Sequence, residues 1–303
     1  MAEFNSKLPV IENGERLPVL FLGNGINRLF SGASWDEIIL DRAEKNGVSV
    51  KKEQFEKLPV TMQIAAAEKG HVKSGMSELA GELLKIPITL NQREFTKTIL
   101  TLPVNQLITA NYSYEIEDSV CPAWNQHKNA AFTCYSAEKA TAESEMLNRY
   151  TRVTFDGTEK DIWHIHGQIY RPSSIIMGHY YYGKVISYAQ KHVAGLMRSL
   201  GACRSRDLPF RPNSWIDYFM LGDVYMLGFS MDLSEMDIWW LVCCKQIHFP
   251  ETKIHFFARK VSDEKAIMMD TYGIKRHEFD LDYNSFYPEA ISSIKEMIER
   301  RGD

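Results

Sequence analysis

The chain has 303 residues, 45% of them hydrophobic and 24% charged, with 35 Lys+Arg against 39 Asp+Glu and five cysteines. That is enough chain for one large or two modest folded domains, and it excludes disordered, collagen-like and disulfide-scaffold classes. A formal net charge of −4 supplies no bulk field for a polyanion, so nucleic acid is not evident as a partner. An odd number of scattered cysteines fits reduced thiols, no apolar run reaches the roughly 18 to 20 residues that span a bilayer, and Met1 to Lys7 lacks the basic-then-apolar order of a signal peptide. The expectation is a cytoplasmic protein without a membrane partner.

In chain order, Leu17 to Leu22 (LPVLFL) is a continuous apolar run that reads as a buried strand. Lys45 to Leu100 is charge-rich and helical, over about two helices, and reads as an insertion forming a small cap. A strand is expected at Gln106 to Thr109, then a loop-rich, polar excursion over Cys121 to Lys160, then strands at Asp161 to Ile165 and Ser174 to Met177. Between Tyr181 and Leu200 the residues Val185, Ala189, Val193, Leu196 and Leu200 trace one helical stripe. Further strands fall at Val224 to Leu227 and Lys253 to Phe257, separated by a helix from Ile238 to Lys245. A last helix, N-capped near Ser285, carries Tyr287, Ile291, Ile294 and Ile298 on one face. Apolar strands alternating with helices predict an α/β fold with a mostly parallel sheet.

Four segments at predicted strand ends carry candidate chemistry. Leu22-Gly23-Asn24-Gly25-Ile26-Asn27-Arg28 follows the first strand, and its glycines allow a tight turn with backbone N–H groups aimed at a pyrophosphate, although the full GxGxxG spacing is absent. Thr109-Ala110-Asn111-Tyr112 ends the second; the Asn111 amide suits a sugar hydroxyl, and asparagine is equally a helix N-cap. His164-Ile165-His166-Gly167 places two histidines on one side of a strand, with a glycine leaving room for substrate. A general base is preferred there to a zinc pair, because no nearby Cys, Asp or Glu cluster offers a third ligand. Gly228-Phe229-Ser230 precedes another helix and suits a phosphate or ribose contact, with Ser234 an alternative N-cap.

Taken together, Gly23-Asn24-Gly25-Ile26-Asn27, Thr109-Ala110-Asn111-Tyr112-Ser113, His166-Gly167 and Gly228-Phe229-Ser230 resemble the motifs of the sirtuin (silent-information-regulator-two) family. The match runs from about residue 17 to 245, and Glu117 falls where the longer second motif has an acid. The resemblance implies a Rossmann-like NAD-binding domain over 1–303, with the helical insertion at about 45–100 and the loop-rich one at about 121–160. Asn24, Asn27 and Ser113 depart from the family's Ala, Ser and Asp. Between Gly167 and Gly228 the chain has one cysteine, Cys203, too few for the four-thiolate zinc module of the deacylating members. What remains is similar to the bacterial sirtuin-like NAD hydrolases of antiphage defence.

The resemblance implies cleavage of NAD to nicotinamide and ADP-ribose, with no metal required. Asn111 would orient the ribose hydroxyls or the water, and His166 would act as general base, with His164 the alternative. Gly23, Asn24, Gly25, Ile26, Asn27 and Thr109 would hold the cofactor's phosphates and sugar. Gly228, Phe229 and Ser230 would contact the adenosine half. Control by a homo-oligomer, an activating partner or a ligand is expected. A protein deacylase or ADP-ribosyltransferase using the same pocket, or a non-catalytic NAD or ADP-ribose sensor, are the alternatives.

Overall fold

The computed structural model describes residues 17–31, 35–48, 51–70, 72–122, 133–135 and 146–300. Eight strands form one sheet: β1 (Pro18–Leu22), β2 (Gln106–Thr109), β3 (Thr133–Tyr135), β4 (Tyr150–Phe155), β5 (Thr158–His164), β6 (Asp223–Leu227), β7 (Ile254–Ala258) and β8 (Lys275–Glu278). The helices among the described residues are α1 (Arg28–Ser31), α2 (Trp35–Lys45), α3 (Lys52–Phe55), α4 (Val60–Ala67), α5 (Val72–Leu83), α6 (Leu90–Leu100), α7 (Glu115–Val120), α8 (His179–Ser205), α9 (Trp215–Leu221), α10 (Met236–His248), α11 (Asp263–Thr271) and α12 (Tyr283–Glu299). Among the described residues no helix is long and apolar enough to cross a membrane.

The spatial order is β3-β4-β5-β2-β1-β6-β7-β8. Every pair from β5 to β8 is parallel, and only β3·β4 and β4·β5 are antiparallel. Numbered along the chain, the six parallel strands lie third, second, first, fourth, fifth, sixth, which is the doubly wound, Rossmann-like order. The winding reverses between β1 and β6, where Leu22 stands beside Leu227 at the strands' carboxyl ends. Open α/β sheets place their ligands in the crevice at that reversal.

β1 is an unbroken apolar run because both faces of the sheet are covered. Val19 and Phe21 point to one side, into a core with Ala189, Val193 and Leu196 of α8 and Ile238, Leu241 and Val242 of α10. Leu20 and Leu22 point to the other, against Ile99 and Leu100 of α6 and Ile291 and Ile294 of α12. The stripe predicted within 181–200 is the buried face of α8, which starts two residues earlier and adds Tyr182.

Several expectations are corrected. Among its described residues the stretch 45–100 holds four helices. α3, α4 and α5 pack with α2 into a cap centred on Ile39, Phe55, Ile64 and Leu79, whereas α6 belongs to the sheet's flanking layer. Of the loop-rich stretch expected over 121–160, residues 123–132 and 136–145 lie outside the described residues; in its described part β4 and the start of β5 form a hairpin turning at Asp156-Gly157, both with positive φ (47° and 75°), the geometry that Asp-Gly favours. Ser174 to Met177 is no strand. Pro172–Ser174 is a 3-10 turn, and Ile175 and Met177 bury their side chains in the cap instead of on a sheet. The last helix is capped by Asp282, whose carboxylate accepts from the amides of Asn284 and Ser285 at 2.9 and 3.0 Å. The polar edge strand β8 was missed because its side chains carry no apolar period.

β6 is fixed in depth by a buried cation. Lys245 Nζ lies within hydrogen-bond distance of four acceptors that share its three N–H groups, the carbonyls of Phe219, Met220 and Gly222 at 2.7, 2.9 and 2.7 Å and Thr252 Oγ1 at 2.6 Å, capping the end of α9 just before the strand begins. Replacing it by an apolar side chain leaves these carbonyls without their donor. Lys245→Met is expected to lower the unfolding free energy by on the order of 3 kcal/mol, read by urea denaturation; a change within the measurement error would contradict this role.

Candidate functional site

The loops after β1, β2, β5, β6 and β7 meet around a cavity of about 490 Å³ at the winding reversal. Of the residues selected from sequence, Asn24, Gly25, Asn111, His166, Gly228, Phe229 and Ser230 line it. Gly23, Ile26, Asn27 and Thr109 do not; they build the walls from behind.

The glycines of the first loop serve a backbone crossing. Gly23 N donates to Leu227 O at 3.0 Å and Gly25 N to Gly228 O at 2.7 Å. A Cβ on Gly23 would lie 2.4 Å from Gly228 O, and one on Gly25 2.4 Å from Tyr287 Oη. These two amides, with that of Asn27 on Asn24 O, are committed within the protein and form no phosphate cradle. Gly167 is corrected likewise. With φ at 94°, its missing Cβ makes room for the backbone at Ser174, 2.2 Å from where that atom would stand, and not for a substrate.

Asn111 is held by a carboxylate. Its Nδ2 donates to Glu115 Oε1 at 2.5 Å, and the same oxygen accepts from Asn27 Nδ2 at 3.0 Å. Gln92 Nε2 donates to Asn27 Oδ1 at 3.1 Å, and Ser113 Oγ donates to Glu115 Oε2 at 2.6 Å. With its nitrogen engaged, the Asn111 amide keeps its carbonyl oxygen as an acceptor not spent on Glu115. Thr109 Oγ1 accepts from Asn111 N at 3.1 Å, and so shapes the turn that puts Asn111 at the cavity.

The two histidines separate cleanly. His164 is wholly buried between Asn111 O and Glu117 Oε1, each 2.9 Å away, and Thr151 Oγ1 donates to the same Glu117 oxygen at 2.5 Å. Burial works against its charge, but Glu117 outweighs it and the pKa is raised. His166 reaches the cavity wall, its ring stacked on Tyr182 at 5.3 Å. Its Nε2 lies 2.9 Å from Asp237 Oδ2, leaving Nδ1 for chemistry. Burial lowers its pKa and Asp237 raises it further, so the net direction is upward.

Asp237 and Glu235, at the start of α10, were not selected from sequence. A potential ligand atom of each lies within 4.8 Å of one on the other and of one on His166, so acids do stand beside the histidine that the sequence left without them. Asp237 comes from 71 residues further along the chain, with Glu235 two residues before it, a separation no local pattern reveals. Asp237 meets His166 with hydrogen-bond geometry, and Glu235 stands beside the pair. Glu235 is pushed up to about 7, by burial first and by Asp237 among its neighbours. Ser234 does not cap α10. Its amide and hydroxyl both turn back onto Asp232 Oδ1, at 2.9 and 2.7 Å.

The opposite end of the cavity is basic and aromatic. Arg28, Arg259, Lys260, Tyr283, Phe286 and Tyr287 line it. Tyr283 Oη donates to Gly25 O, and the Arg259 guanidinium lies 5.5 Å from the Tyr283 ring centre. The strands that lead to these two ends, β5 and β7, are four strand spacings apart in the sheet, about 19 Å.

The sequence matches no family model and no curated protein.

The raised pKa of His166 is a stability statement. The Asp237 pair contributes fully below the pKa of a free imidazole, and the contribution is lost as pH rises through the folded-state value. Asp237→Asn is expected to move the His166 titration, followed by the NMR shift of its ring protons, to lower pH and to remove that pH-dependent part of the stability. An unmoved titration would contradict the pairing.

Proposed function

We propose that this chain is a sirtuin-like NAD hydrolase, cleaving the bond between the nicotinamide nitrogen and the ribose anomeric carbon. The observation that carries the reading is the cavity at the reversal of a third-second-first-fourth-fifth-sixth sheet, with Asn111 and His166 together on its wall. The charge distribution supports it. NAD joins a cationic ring to a pyrophosphate and an adenosine. The end lined by Asp232 and Glu235, with Asp237 behind His166, favours the cationic ring and the oxocarbenium-like transition state, while the Arg28, Arg259 and Lys260 end favours the pyrophosphate. Ser113 replaces the family's aspartate, and Glu115 supplies a carboxylate to the same asparagine.

In this reading the Asn111 carbonyl orients a ribose hydroxyl or the water, and His166 exchanges a proton with a ribose hydroxyl or with water through Nδ1. Gly228, Phe229 and Ser230 border the path toward the adenosine half. The span between Gly167 and Gly228, where deacylating members carry their zinc module, is here occupied by α8 and α9, which favours hydrolysis of free NAD over an acyl-lysine substrate. A regulated effector in antiphage defence, held in check by its own oligomer, a partner or a ligand, is the biological setting we propose.

Purified protein incubated with NAD, with and without candidate activators, is expected to release nicotinamide and ADP-ribose. Asn111→Ala and His166→Ala are each expected to reduce kcat by about 10² to 10⁴-fold while circular dichroism stays that of the parent. Full turnover by a folded double variant would sink the assignment.

A further inference from the structure

We propose that Glu235 is a second catalytic group of the cavity, the acceptor of the proton lost by the attacking water, a role that rests on the hydrolase reading above.

Position comes first. Glu235 stands on the cavity wall beside His166, at the residue preceding the first turn of α10, yet its side chain makes no capping bond to that helix. Its Oε2 is buried with no hydrogen-bond partner among the described residues, whereas Tyr182 hydrogen-bonds the carboxyl group. A carboxyl group kept from water, not spent on the helix end and bordering a ligand-sized cavity carries a desolvation cost that structure alone does not recover. The same Tyr182 ring stacks on His166 at 5.3 Å, so one side chain sets the positions of both groups.

The chemistry needs such a group. Water must lose one proton as its oxygen bonds to the anomeric carbon, while the electron pair of the breaking carbon–nitrogen bond goes to nicotinamide and neutralises its ring. His166, paired with Asp237 through Nε2 and thereby favoured as imidazolium, has in that form no lone pair left for the proton of water. Glu235, facing His166 after β5, Tyr112 after β2, Tyr182 on α8, and Asp232 and Asp237 on its own segment, is pushed up to about 7, where a carboxylate is both partly ionised and basic enough to take a proton. The work divides: Glu235 takes the proton of water and returns it to solvent, and His166, positioned by Asp237, serves the ribose hydroxyl. Tyr182 and Asp237 are positioning residues.

The test uses the full chain and NAD. In the parent, kcat/KM should rise with pH through about 7. Glu235→Gln, nearly the same shape, is expected to lose this rising limb and about 10²-fold in kcat, and Glu235→Asp to keep the limb with part of the rate. In Glu235→Ala, added azide, a nucleophile with no proton to lose, is expected to restore nicotinamide release and form the ribosyl azide. A Glu235→Gln enzyme with parental kcat and pH profile, or a folded Glu235→Ala enzyme that azide does not rescue, would overturn the role of Glu235 and leave the hydrolase reading standing. A parent that releases no nicotinamide under any activating condition would overturn the hydrolase reading and this role with it.

Discussion

The site depends on one backbone crossing. Where the winding of the sheet reverses, the loop after β1 lies directly on the loop after β6, joined by the amides of Gly23 and Gly25 on the carbonyls of Leu227 and Gly228. No side chain fits between them: an added Cβ would stand 2.4 Å from backbone oxygen or from the Tyr287 hydroxyl. This contact closes the floor of the crevice and sets how far apart the two halves of the cavity can be. It also explains why glycines occur in this loop without the full dinucleotide-binding spacing. They are needed for contact between strands, and the basic side chains of the cavity stand on its far wall.

Charge on the two sides of the floor is segregated, and the fold maintains the separation. At one end, Asp237 and Glu235 enter from the start of α10 and His166 from the end of β5, packed against Tyr182. At the other, Arg28 and Arg259 flank Tyr283 and Tyr287. Opposite charges at this distance do not neutralise one another directly, so each end keeps its own field in a partly enclosed space. Glu235 carries a desolvation cost that pushes its carboxyl up to about 7 and that His166 and Tyr182 only partly offset. Perturbed groups of this kind cluster at functional sites.

Much of the sheet was legible because buried parallel strands are apolar on both faces, and Leu17 to Leu22 or Val224 to Leu227 have no other home. Strand β8 and the β4 hairpin were not, since edge and antiparallel strands carry polar residues on an open face; the Asp156-Gly157 turn was the one local signal for the hairpin. Ile175 to Met177 reads like a strand because apolarity alone does not distinguish a sheet from the underside of a helical cap. For the site, Asn111 and His166 could be found because each ends a strand. The His166-Gly167 match alone favours His166 over His164; spacing does not separate them, because what distinguishes the two is Glu117 on one and Asp237 on the other, partners 47 and 71 residues away. Thr109 and Asn27 were selected with the site and turn out to support it from behind, through Asn111 and Glu115.

The central claim is that the cavity binds a dinucleotide in one direction, the nicotinamide ribose at the acidic end and the adenosine toward the basic one. A crystal structure with bound ADP-ribose tests it directly. The account predicts the terminal ribose within hydrogen-bond distance of Asn111 and His166, with the diphosphate lying across the glycine crossing toward Arg28 and Arg259. A ligand bound in the reverse direction, or outside this crevice, would contradict it.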